Sequence, residues 1–176
     1  MKKIIAIVDR ARASRAMLLC ALLCLLPMAA GAQSGAPATP RFLDNGDGTV
    51  SDRLTGLMWE KAPSSERVSA TESESYVKKL ALAGHADWRL PSRVELASLV
   101  QGEQADHASW LNSQGFRNVQ HSEYWSSTLF EWMGYSTPDR LYAWVVDLSS
   151  GDLRTELYWD HFTCAWAVRG EPGEGE

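Results

Sequence analysis

SATESESYVKKLALAGHADWRLPSRVELASLV (residues 69–100) decides the fold class of this chain. Ser69 followed three residues later by Glu72, and Ser92 followed by Glu95, are two capping boxes: each hydroxyl serves an orphan N–H of the first helical turn while the glutamate reaches back. The first predicts a helix over 69–83, with Tyr76, Val77, Leu80, Ala81 and Ala83 at helical spacing and Gly84 as its carboxy-terminal cap. The second predicts a helix to Val100 carrying Val94, Leu96, Ala97, Leu99 and Val100. Between them, Asp87-Trp88-Arg89-Leu90-Pro91 must be extended, because Leu90 precedes a proline.

Outward from this helical pair the chemistry is that of strands. On the amino-terminal side, Asp44-Asn45-Gly46-Asp47-Gly48 holds both Asn-Gly and Asp-Gly, the dipeptides that tolerate the positive φ of a tight hairpin. Thr55-Gly56 forms a second turn before the apolar strand Leu57-Met58-Trp59. A calcium loop would place side-chain oxygens at alternate positions from Asp44, where this chain has Gly46 and Gly48, so no metal is assigned there. Beyond Gly102 the chain reads as four short strands: Tyr124–Ser127, Leu141–Leu148, Leu153–Trp159 and Thr163–Arg169, with Ser149–Asp152 as a hairpin turn. The stretch 129–140 is an apolar loop. Two helices set among antiparallel strands make an α+β domain, with two helices packed on short antiparallel strands, spanning 41–170.

Residues 1–32 read as a secretory signal. Lys2, Lys3, Arg10, Arg12 and Arg15 are a basic start, Met17–Ala30 is apolar, and Ala30-Gly31-Ala32 presents small residues for cleavage between Ala32 and Gln33. The apolar run is short for a bilayer and contains Pro27. Cys20 and Cys24 each follow a leucine, where lipid attachment wants a small residue. Gln33–Pro40 reads as a flexible leader and Glu171–Glu176 as a disordered acidic tail. Cleavage would remove five of the 17 basic and one of the 22 acidic side chains, leaving a net charge of −9. That charge argues against nucleic acid and against sulfated polysaccharide as partners. One cysteine, Cys164, would remain, so no internal disulfide can form and the eight tryptophans must supply the core.

The blocks DNGDGTVSDRLTGLMWEK (44–61), AGHADWRLPSRVEL (83–96), EYWSST (123–128), AWVVDLSSGDL (143–153) and AVRG (167–170) resemble the carboxy-terminal domain family of the Legionella collagen-like protein, in that family's order. The resemblance implies a C-type-lectin-like single domain and, from the founding member, adhesion to glycosaminoglycans. It also implies a cysteine in the first helix and another before the terminal VRG; here Val77 or a neighbour and Ala167 stand in those places. The enzymatic relatives of such a fold use a cysteine pair, and this chain retains one cysteine after cleavage.

Catalytic signatures are missing: the mature chain has no G-x-S-x-G, H-E-x-x-H or C-x-x-C. His85, His107, His121 and His161 are too scattered to suggest a shared metal, and no cofactor is expected. Period-two alternation puts Cys164, Trp166 and Val168 on one face, which reads Cys164 as an inert core thiol. Trp125, Trp144 and Trp166 are assigned to the core, and Arg89 to pairing or carbonyl capping beside packed Trp88 and Leu90. The expected ligand-binding residues are the loop aromatics Trp132, Tyr135, Tyr158, Trp159 and His161, with Arg140 and Asp160 as polar partners. Aromatic faces beside hydrogen-bonding groups suit sugar or peptide recognition. The expected function is therefore a non-enzymatic extracytoplasmic module, periplasmic or secreted, binding a carbohydrate or an envelope protein.

Overall fold

The hairpin at the start of the domain forms because its acidic loop satisfies itself. Asp44 accepts a hydrogen bond from the Gly46 N–H (3.0 Å), and Asp47 accepts from both the backbone N–H and the hydroxyl of Thr49 (3.0 and 2.6 Å). Gly46 and Gly48 adopt the positive φ the turn demands, +79° and +93°. The computed structural model describes residues 39–171 except 101, 103 and 131–140. Strand β1 (Phe42–Asp44) pairs antiparallel with β2 (Thr49–Asp52), β2 with β3 (Met58–Glu60), and β3 with the short β7 (Val168–Arg169), giving a four-stranded sheet. A second sheet of three antiparallel strands follows the order β4 (Glu123–Phe130), β5 (Tyr142–Asp147), β6 (Leu153–Leu157).

Three helices lie between the sheets in sequence. Both expected capping boxes are present, at Ser69/Glu72 before α1 (Ala70–Lys79) and at Ser92/Glu95 before α2 (Arg93–Leu99). Helix α1 ends at Lys79 instead of reaching Ala83. Leu80 is already extended, and Leu82 and His85 bond reciprocally (3.2 and 3.0 Å) around a turn in which Ala83 and Gly84 both take positive φ. The Asn-Gly-like geometry of that turn, with an alanine in the left-handed region, is a tight hairpin and not a helix cap. Helix α3 (His107–Ser113) lies in a stretch after Gly102 where the sequence pattern predicts only strands. Its only local signal is Asp106, whose carboxylate accepts from the Ser109 N–H (3.0 Å) with no glutamate to complete a box. Burial of Ala108 and Leu111, and the bond from Ala108 N–H to the Leu148 carbonyl (2.9 Å), hold it in place. Seven residues do not make a stable helix alone.

Residues 163–168 run extended between two hydrophobic clusters. Cys164, Trp166 and Val168 enter the cluster built on Phe42, Val50, Trp59, Leu96 and Phe116. Ala167 enters the other, with Val77, Trp88, Trp125 and Val145. The alternation read from the sequence holds, yet only Val168–Arg169 is a strand. The rest is pinned by single bridges, Thr163 to Val68 and Cys164 to Tyr124. Of the tryptophans assigned to the core, Trp125 and Trp166 are fully buried. Trp144 is only half-buried: the Arg93 guanidinium lies 4.8 Å from its ring centroid and Phe130 meets it edge-on at 5.8 Å.

Candidate functional site

Strand β6 ends in a turn that gathers the exposed aromatics. The His161 N–H returns to the Leu157 carbonyl (3.2 Å), and the Tyr158 N–H to the Leu141 carbonyl (2.9 Å). Tyr158 points inward, is 8% exposed, and donates its hydroxyl to the Glu74 carboxylate on α1. Burial, reinforced by that carboxylate, pushes the phenol up to about 12, so it remains protonated at any physiological pH. Tyr158 thus acts as an anchor. Trp159 stacks edge-on against it at 4.9 Å and keeps 48% of its surface exposed; Asp160 is exposed, and Phe162 is 52% exposed on the far side of His161.

His161 sits between two carboxylates. Its Nε2 is 2.7 Å from Glu123 on β4, and its Nδ1 is 3.4 Å from Glu156 on β6. The ring also meets Trp125 edge-on at 5.8 Å. Arg154 reaches Glu123, Asp147 and Asp152 at 3.3–3.4 Å. A cationic side chain, an imidazole and several carboxylates therefore border an aromatic turn. Of the residues expected to bind ligand, the fold brings Trp159, Asp160 and His161 together with Tyr158 beneath them. Trp132, Tyr135 and Arg140 lie outside the described residues, as do Ala32 and Gln33 at the expected cleavage position.

Glu123, Glu156, Arg154 and Phe162 were not singled out from the sequence. Period two puts Arg154 and Glu156 on one face of β6, which was readable. Glu123 shares their face only because β4 and β6 flank β5, with Glu123 opposite Asp147, Arg154 opposite Val145 and Glu156 opposite Ala143, and its carboxylate reaches toward them along that face.

Elsewhere, a concavity of about 280 Å³ is walled by Ser64, Glu66, Glu72, Tyr76 and Lys79. Behind it the Tyr76 hydroxyl donates to Glu60 at 2.5 Å, and burial raises the Glu60 carboxyl above its ordinary value. Glu60 Oε2 also lies near the Ala167 N–H (3.4 Å), so the carboxyl is engaged on both oxygens, one tying β3 to α1 and the other to the 163–168 segment. Cys164 is buried, and burial pushes its thiol up, away from the reactive thiolate. Asp87 and Arg89, neighbours in sequence, have different partners. Asp87 binds Arg169 through two hydrogen bonds (2.9 and 3.0 Å), and Arg89 binds Glu95 through two (both 2.7 Å). No helix among the described residues is long and apolar enough to cross a membrane. The family model described as "Lcl C-terminal domain" matches residues 48–169. No curated protein matches the chain.

Proposed function

Since this chain belongs to the Lcl C-terminal domain family, we propose that it is a non-enzymatic extracytoplasmic recognition module, C-type-lectin-like in kind, that binds a carbohydrate or a protein at the cell envelope through the turn after β6. The observation that carries this reading is the half-exposed ring of Trp159, set edge-on against a buried Tyr158 in the same turn that carries His161 and its paired carboxylates. A rigid aromatic face supplies contact area at small entropic cost, and neighbouring acceptors select hydroxyl-bearing ligands. The acidic surface disfavours sulfated chains, so neutral or amine-bearing glycans are the preferred class. In this reading residues 1–32 direct export. Amino-terminal sequencing of the chain from its native host should then begin at Gln33; a chain beginning at Met1 would refute export by cleavage.

A glycan array run beside a pull-down from envelope extract tests the binding role. Saturable glycan binding is expected, reduced at least about tenfold in Trp159→Ala, since removing a central aromatic anchor costs about 2 kcal/mol or more. Circular dichroism of the variant should match the parent. Silence on the array with a single stoichiometric protein partner would favour a structural subunit of an envelope assembly. Turnover of any substrate would replace both readings with an enzyme.

A further inference from the structure

We infer that Glu123, Glu156 and His161 form a binding site for one divalent transition-metal ion of the zinc class. One ligand atom from each lies within 4.8 Å of the others. Glu123 lies 2.7 Å from Nε2 and Glu156 lies 3.4 Å from Nδ1, so the two carboxylates now meet different nitrogens of one ring, whereas ligand atoms around an ion bound at about 2.0–2.2 Å are spaced about 3.0–3.4 Å apart. An ion takes one ring nitrogen and one oxygen from each glutamate, with water completing the shell. Rotation of the side chains brings both carboxylates to one ring nitrogen, closing ligand-atom spacings that are now within 4.8 Å.

The three ligands come from backbone that is already fixed. The Glu123 carbonyl accepts from the Cys164 N–H (3.1 Å) and from the Thr163 hydroxyl. Glu156 is held in the ladder opposite Ala143, and His161 by the turn bond to Leu157. Such pre-organisation lowers the entropic cost of gathering ligands. Arg154 is the competing cation, but its contact with Glu123 is long (3.3 Å), it is nearly half exposed, and Asp147 and Asp152 can keep it. Imidazole with two carboxylates favours zinc, nickel or cobalt. Calcium wants six to eight oxygens, and three protein ligands including a nitrogen serve it poorly. The inference stands on these three residues and does not depend on what Trp159 meets.

Calorimetric titration of the metal-free chain with ZnCl2, repeated with NiCl2, is the test. One ion per chain is expected, with a rise in thermal midpoint. Glu156→Gln and His161→Gln should each weaken binding by at least about tenfold. Arg154→Gln should tighten it, and millimolar CaCl2 or MgCl2 should not displace the zinc. His121→Gln, at the separate exposed pair with Asp106, should leave it unchanged. Glu156→Gln keeps the shape of a partly exposed side chain, so it remains informative if His161→Gln fails to fold. No heat and no thermal shift with either metal, or zinc binding that survives Glu156→Gln undiminished, would overturn the assignment.

Discussion

Trp166→Ala is expected to destabilise the domain by about 3–5 kcal/mol, the range for removing a large ring from a packed core. Trp166 has no exposed surface, and its ring meets Trp59, Phe116 and Tyr124 at 5.4, 5.2 and 5.4 Å. Its indole N–H also donates to the Glu60 carbonyl at 2.7 Å. The substitution therefore opens a cavity at the point where β3 and the 163–168 segment join, and it leaves a buried carbonyl short of a partner. Among the described residues no disulfide compensates, since Cys164 is free. Urea unfolding followed by circular dichroism should show a lower midpoint at unchanged slope. Trp166→Phe should lose less, about 1–3 kcal/mol, because the ring contacts survive while the hydrogen bond does not. A loss below about 1 kcal/mol for the alanine variant would mean that the core closes over the vacancy, contrary to the packing described.

Arg89→Met is the second large effect, expected at about 3 kcal/mol, the lower end for breaking a buried ion pair, because Arg89 keeps partial access to water. Glu95 is buried, and its carboxylate takes both guanidinium nitrogens as well as the Ser92 N–H at 2.7 Å. Without Arg89 that charge stays buried with only the helix-cap bond to hold it. Arg89 also donates to the carbonyls of Leu90 (3.3 Å) and Gly170 (3.0 Å), so the loss reaches the end of the domain. Arg89→Lys should rescue little, since an ammonium cannot span both carboxylate oxygens. The double variant Arg89→Met/Glu95→Gln should be more stable than Arg89→Met alone, which a merely steric role for Arg89 would not produce. Urea midpoints of the parent, Arg89→Met, Glu95→Gln and the double variant measure the coupling.

How much of this was legible follows from the range of each interaction. The capping boxes at Ser69 and Ser92 involve residues three apart, so the local sequence carried them completely. The Asp44–Gly48 hairpin was equally local, and so was the alternation that sends Cys164 and Trp166 one way and Ala167 the other. The far end of α1 is not legible because Leu80, Ala81 and Ala83 continue a helical apolar pattern past Lys79. The reciprocal bonds between Leu82 and His85, which end it, have no distinctive side-chain signature. Helix α3 escaped notice because its stability comes from Ala108 and Leu111 docking on a core contributed by distant strands.

The candidate site divides in the same way. The aromatic turn Tyr158–His161 was readable as a cluster of rings outside regular strand. Composition could not say that Tyr158 faces Glu74 while Trp159 faces outward, since the two are adjacent and similar in chemistry. Arg89 reads from the sequence as a residue that pairs or caps nearby carbonyls, and it does both, but which carboxylate it meets, Glu95 six residues on, is set by the fold. By itself, then, the sequence determined what depends on neighbours along the chain: the helix starts, the tight turns, the inward and outward faces, and the family. Only the tertiary structure decided what depends on neighbours across it. It divided the strands into two sheets, set Trp166 among three other rings, and carried Glu123 to within 2.7 Å of His161. Those contacts form between residues whose separation in sequence is long and whose meeting is fixed by strand register and core packing, and no local propensity encodes either.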